Sequence, residues 1–258
     1  MNRITALAAT VALTAGSLAL TAPAAQAAPA KYKVTAKANT EIAIVKEDTV
    51  KVRGRVTPKA AGQKVVLQQR VGNKKSWKVT ASTKVKRNGT YVLKDKPTTP
   101  GSREYRVVKP ASKGIRKGIS TSMPVEVYRW QTLTSRTPGP MTNIAPIGVN
   151  IGAEFYGQSL ATTTAGTPST VEYTLGRKCL EMRASYALTD ESASGATGLV
   201  AVSADGKVLA SHALAVGTLV ADETLDLDGV FRLKFDATTT AAPAATVAVA
   251  TPEVLCTR

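Results

Sequence analysis

Histidine occurs once in this chain of 258 residues, cysteine twice and tryptophan twice, and aromatics make up only 5% of it. Each scarcity excludes something. Two Cys and one distant His do not make a zinc ligand set. The single His lies in Leu209-Ala210-Ser211-His212-Ala213-Leu214. Neighbours on a strand point to opposite faces, so Ser211 and His212 cannot act as nucleophile and base. No phosphate-cradling Gly loop and no HExxH-type motif occurs. The acid pairs Asp190-Glu191 and Asp222-Glu223 sit in turn-like sequence and read as solvated loop carboxylates rather than a catalytic couple. The composition therefore predicts a protein that is not an enzyme.

Long apolar runs are also missing, except at the start. Arg3 precedes an uncharged stretch from Ile4 to Thr21, Pro23 breaks it, and Ala25-Gln26-Ala27 has the small-x-small pattern of a cleavage site. Residues 1–27 are expected to be a signal peptide, the alternative being an uncleaved anchor. The run is short and weakly apolar for a spanning helix. No later segment could span a bilayer, so the mature chain is expected to be secreted, outside the cell and within reach of its wall. In that setting Cys179 and Cys256 are expected to form a disulfide, the alternative being two free buried thiols. The bridge would close a loop of 78 residues, both ends counted.

Acidic residues are scarce in one half only. Lys31 to Arg129 holds 25 Lys+Arg against 6 Asp+Glu, a net of +19. Trp130 to Arg258 holds 8 against 12, a net of −4. The asymmetry predicts two domains with different surfaces.

The basic half is written in period two. Valines alternate with cations in Val50-Lys51-Val52-Arg53-Gly54-Arg55-Val56, so one face can be buried while the other is charged. Similar runs stand at 64–70, 77–81, 90–93, 105–108 and 124–128, separated by turn residues such as Gly72-Asn73-Lys74, Asn88-Gly89 and Pro100-Gly101. Such short strands predict a β-sandwich over residues 31–127. This stretch resembles the bacterial immunoglobulin-like repeats of secreted and surface proteins, through Val52-Arg53-Gly54-Arg55-Val56, Ala61-Gly62-Gln63-Lys64-Val65-Val66-Leu67-Gln68, Trp77, Asn88-Gly89-Thr90-Tyr91 and Tyr105-Arg106-Val107. The resemblance implies a spacer or adhesive module. Trp77 is expected to pack in the sandwich or along its edge. The cationic face has two readings, a soluble exported surface or attraction to an anionic envelope polymer, with Lys51, Arg53 and Arg55 as contacts. Nucleic acid is disfavoured, because the cations are spread over every strand rather than gathered with stacking aromatics.

Residues 128–258 turn to Ala, Thr, Gly and Asp and still read as strands: 148–154, 169–175, 180–188, 199–203, 208–214, 224–227, 230–235, 245–250 and 254–256. Asp205-Gly206 reads as a hairpin turn and Asp228-Gly229 as a link between strands. A second sandwich is predicted, of jelly-roll, galactose-binding-like type, which makes the whole chain all-β with two consecutive sandwiches. The order of pieces resembles the novel putative carbohydrate-binding module family, or NPCBM. The matching pieces are Tyr128-Arg129-Trp130-Gln131-Thr132-Leu133, Phe155-Tyr156-Gly157-Gln158-Ser159-Leu160, Pro168-Ser169-Thr170-Val171-Glu172-Tyr173-Thr174-Leu175, Arg183 to Glu191, Val202 to Leu209 and Leu225 to Leu233. Where that family carries a His, Ala161-Thr162-Thr163 stands here, and residues 241–250 lack its final acid and Trp.

Sugar binding needs an aromatic face and a few polar groups. Trp130 and Tyr156, at segment ends, are the expected stacking residues, with Asp190 and Glu191 as polar partners. No cofactor is expected; Ca²⁺ at Asp190-Glu191 or Asp222-Glu223 would need six to eight oxygens that the spacing does not name. The sequence thus predicts a non-catalytic envelope protein that binds a glycan or an anionic polymer. The alternative is a structural or adhesive surface protein with no small ligand. Neither a partner protein nor an oligomeric state is legible.

Overall fold

The computed structural model describes residues 30–258; the signal peptide expected at 1–27 lies outside them. Among the described residues the regular structure is strand, apart from one 3-10 turn at Leu133–Ser135. No helix among them is long and apolar enough to cross a membrane. The first strands are β1 (Lys33–Ala38), β2 (Ile42–Ile44), β3 (Val50–Thr57), β4 (Lys64–Val71), β5 (Lys78–Lys84), β6 (Thr90–Asp95), β7 (Gly101–Lys109), β8 (Gly118–Ile119) and β9 (Met123–Thr132). Then come β10 (Met141–Thr142), β11 (Ile144–Pro146), β12 (Val149–Ile151), β13 (Glu154–Tyr156), β14 (Leu160–Thr162) and β15 (Ser169–Thr174). The last are β16 (Cys179–Leu188), β17 (Thr197–Ala204), β18 (Lys207–Ala215), β19 (Leu219–Asp226), β20 (Arg232–Thr239) and β21 (Val247–Cys256).

In the first half, the sheet β1-β3-β6 packs against strands β5-β4-β7-β9. β2 joins the far edge of the latter, parallel to β9. Alternation decides what lies between them. Val50, Val52 and Val56 of β3 are buried with Val65, Leu67, Tyr91, Leu93, Tyr105 and Val107 in one core. At Gly54 the inward position is empty, and the Tyr91 hydroxyl uses that space to donate to the Thr35 carbonyl at 2.5 Å. A side chain there would overlap both groups.

The division expected at 127/128 falls inside β9. Gly101 to Tyr105 of β7 pair with Met123 to Val127, and Arg129 to Thr132 then pair with Glu253 to Cys256 of β21. One continuous strand thus serves both halves, while their buried clusters are separate.

In the second half, sheet β10-β15-β20-β17-β18 covers a face of β19-β16-β21-β14-β11, with Tyr173, Met182, Tyr186, Val249, Leu233 and Phe235 between them. The 245–250 run is explained by two buried faces. Val247 and Val249 point into that core, while Ala248 and Ala250 point outward beneath the β12–β13 hairpin. There Val149, Ile151 and Tyr156 pack on Ala161, Ala187, Ala248 and Ala250. Small side chains let the hairpin lie close.

Cys179 and Cys256 stand directly opposite on β16 and β21, disulfide-bonded with Cα atoms 4.0 Å apart. The Asp205-Gly206 turn joins β17 and β18 as a hairpin. Asp228-Gly229 does not join a hairpin: β19 pairs with β16, β20 with β15 and β17, so this link crosses between sheets. Asn88-Gly89 likewise makes a tight turn between β5 and β6, which belong to opposite sheets.

Asp205 ties its hairpin to β20 by accepting from the amides of Phe231 and Arg232 at 3.0 and 2.8 Å. These bonds, followed by the nearby charges of Arg177 and Arg232, hold its carboxyl below the usual range. A lowered carboxylate contributes stability that is present above the unfolded value of about 3.9 and lost as pH falls through the folded value. The melting temperature of Asp205→Asn should therefore fall less than the parent's on acidification from about pH 5 to about pH 2. Parallel acid profiles would remove this role.

Candidate functional site

The outer face of β1-β3-β6 follows from register alone. β1 turns out Lys33, Thr35 and Lys37; β3 turns out Lys51, Arg53 and Arg55; β6 turns out Thr90, Val92 and Lys94. All six cations are exposed, and no carboxylate or aromatic stands among these outward residues. Lys37 lies directly opposite Arg53, and Lys51 directly opposite Lys94. Like charges in such positions repel and destabilise the sheet. None of the six is ion-paired among the described residues; the Arg55 guanidinium alone donates a hydrogen bond, to the Asn88 carbonyl at 3.0 Å. Lys37, Asn39, Lys51 and Arg53 rim a shallow depression of about 370 Å³ at one end. The expected contacts Lys51, Arg53 and Arg55 thus lie in one row, joined by three cations that the sequence reading did not single out.

On the opposite sheet two arginines are engaged within the protein. Arg70 is bidentate to Glu104 at 2.9–3.2 Å. Trp77 lies outside the core, with the Arg70 and Arg106 guanidiniums 5.0 and 4.0 Å from its ring, and Arg106 also donates to Gln68. These guanidiniums already have partners, whereas Lys64 and Lys84, exposed and directly opposed between β4 and β5, have no ion pair among the described residues.

The four residues expected to hold sugar are split three ways. Trp130 sits on the outer face of β9, opposite Leu255, with the Arg183 guanidinium 4.3 Å from its ring and Glu253 bridged to Arg183 at 2.6 Å. Tyr156 packs on Ala187, Ala248 and Ala250 instead. About six residues along β16 separate these places, roughly 20 Å. Tyr156 and Asp190 do meet, in a cleft of about 480 Å³ shared with Glu154, Val216 and Leu219. The Tyr156 hydroxyl is 3.2 Å from Glu154, and Asp190 accepts from the amides of Gly152 and Ala153 at 2.7 and 2.8 Å. Asp190 is therefore first a brace for the β12–β13 turn. Glu191 lines a neighbouring groove of about 370 Å³ with Asn150, Thr163, Thr189 and Thr246.

Phe155 is the aromatic that the sequence reading passed over. It is 68% exposed, pairs with Asn150, and lies across Gly148 and Gly157, where a side chain at Gly148 would overlap its ring. Its signal was period two: Tyr156 points at the sheet, so Phe155 points away. Thr189 is buried in the groove beside it, with a hydroxyl that lacks a partner among the described residues.

The acid pairs do not converge. Asp222 and Glu223 lie in β19, not in a turn, and face opposite ways. The Asp222 amide donates to Ser185 at 2.9 Å, while Glu223 meets His212 at 3.0 Å. No group of three His, Cys, Asp or Glu that could hold a metal occurs among the described residues. His212 stacks against buried Tyr186, ring centroids 4.9 Å apart, where β18 of one sheet meets β19 of the other. Burial pushes the Tyr186 phenol well above its ordinary range. Ser211 points away from His212, as the alternation predicts.

These features define an all-β, sandwich-like, disulfide-bonded protein with an unneutralised cationic sheet face. No family model matches the chain, and no curated protein matches it.

Proposed function

We propose that this is an exported, non-catalytic binding protein of the bacterial cell envelope, which holds an anionic surface polymer on the outer face of β1-β3-β6. The first half would be an immunoglobulin-like module and the second an NPCBM-like sandwich. The observation that carries the reading is the face itself: six exposed cations, two directly opposed like-charge pairs, and no carboxylate. A face built that way gains from an anion what it loses to self-repulsion. The engagement of His212 by Glu223 and Tyr186, with no nucleophile beside it, supports a structural role for that residue.

The test is retention on whole envelopes. Binding should weaken by about two orders of magnitude between about 50 and 200 mM salt. Reversing Lys51, Arg53 and Arg55 to Glu should abolish it. Retention that ignores salt, or that survives the triple reversal, would sink this reading.

A second reading is favoured by one observation, the exposed Phe155 over its glycine floor beside Asn150 and Glu191. An aromatic face with adjacent polar groups suits a saccharide ring. Shallow stacking would give a Kd of about 0.1–1 mM, roughly −4 to −5.5 kcal/mol. Titration with oligosaccharides should shift resonances around Phe155, and Phe155→Ala should erase those shifts while Trp130→Ala leaves them. Shifts that follow Trp130 instead would place the sugar elsewhere.

A further inference from the structure

The geometry points to a particular class of occupant for the cationic face: we infer a linear phosphodiester polymer without bases, of the poly(glycerol phosphate) type, laid along β3. This rests on the anionic-polymer reading above and goes further by naming the chemistry.

The argument is one of spacing. Lys51, Arg53 and Arg55 share a face of β3, two residues apart each time. A strand rises about 3.4 Å per residue, so their Cα atoms recur about every 6.8 Å. A peptide unit, with its three backbone bonds, extends about 3.5 Å. A glycerol phosphodiester repeat has twice as many backbone bonds and so places one charge about every 7 Å when extended. Row and polymer are commensurate. The flanking strands add cations on both sides of the row: Lys37 opposite Arg53 and Lys94 opposite Lys51, with Lys33 further along β1. Strands lie about 4.8 Å apart, so these side chains can reach the same phosphates from either side. Carrying its charge in the backbone itself, such a polymer would meet the row without ordering any side chain of its own.

Nucleic acid shares the phosphodiester chemistry but needs stacking partners for its bases. The outward residues of β1, β3 and β6 include no Trp, Tyr, Phe or His. The face is made for charge alone, which favours the polymer without bases.

The experiment uses the full mature chain and isothermal titration with poly(glycerol phosphate), poly-glutamate, hyaluronate and oligothymidylate, matched in total charge. The expected result is tightest binding to poly(glycerol phosphate), by about tenfold or more over each of the others. Its log K should fall against log salt with a slope of about −3, as four phosphates along the row at about 0.7 each require. Arg53→Gln and Lys94→Gln should each shallow that slope, by at most about 0.7, whereas Lys207→Gln in the second half should leave it unchanged. Because these variants relieve a like-charge pair, they should melt no lower than the parent, which separates lost contact from lost fold. If the phosphodiester, poly-glutamate and hyaluronate bind equally, the phosphodiester inference fails while the anionic-polymer reading stands. If oligothymidylate binds tightest, the ligand is nucleic acid and the inference is overturned. If no polyanion binds, both fall together.

Discussion

Replacing both Cys179 and Cys256 by Ala is expected to lower the free energy of unfolding of the second half by about 3–4.5 kcal/mol. The bridge spans 77 positions in sequence. In the chain-entropy account, releasing a loop of that length returns about 4.5 kcal/mol of disorder to the unfolded state. Relaxation of the unfolded chain reduces the figure, and loss of two buried sulfurs adds to it, because both residues belong to the core. The bridge also joins the first residue of β16 to the last of β21, strands at the centre of their sheet. Urea unfolding of the parent and the double variant measures the effect. A steeper dependence on urea should accompany the loss, since an uncross-linked chain exposes more surface. A difference below about 1 kcal/mol would show that the bridge is not a structural staple.

Gly54→Ala is expected to be comparably damaging to the first half, at about 3 kcal/mol or more. The added methyl would overlap the Thr35 carbonyl, which β1–β3 pairing holds in place, and the Tyr91 hydroxyl that bonds it. Either β1 moves away from β3, or the buried Tyr91 hydroxyl loses its partner. Tyr91→Phe removes the hydroxyl alone and should cost about 1–2 kcal/mol. In the double variant the Thr35 overlap remains but the Tyr91 overlap does not. The two losses should therefore combine to less than their sum. Thermal or urea unfolding of the three variants decides the matter. A Gly54→Ala protein within about 1 kcal/mol of the parent would mean that β1 can shift freely, which its six paired residues argue against.

Much of the fold was legible because period-two alternation is local. β3, β4, β6, β15, β16, β17 and β18 lie within a residue or two of the runs read from sequence. Val50 to Val56 announced its buried and charged sides without any knowledge of what it would pair with. The pairing of Cys179 with Cys256 was likewise set by there being no third cysteine. Two kinds of feature were not legible. The first is the partner of a strand. Asn88-Gly89 and Asp228-Gly229 have hairpin chemistry, yet the strands they join separate into different sheets, because which edge a strand meets depends on residues far along the chain. The second is the direction of a lone aromatic. Trp77 reads as packed in the sandwich or along its edge, and only the packing lays it across Arg70 and Arg106 outside the core.

The candidate sites divide along the same line. By itself the sequence determined that Lys51, Arg53 and Arg55 share a solvent face, since a strand offers no other arrangement. Only the tertiary structure decided that Lys33, Lys37 and Lys94 join them, that no carboxylate does, and that two like-charge pairs stand opposed, for those facts belong to register between strands. The same holds in the second half. Trp130, Tyr156, Asp190 and Glu191 were each chosen for chemistry the sequence displays, but the β12–β13 hairpin placed Tyr156 against the sheet and Phe155 in solvent. Side-chain type is written in the chain; proximity is set by how distant segments pack, which no local pattern encodes.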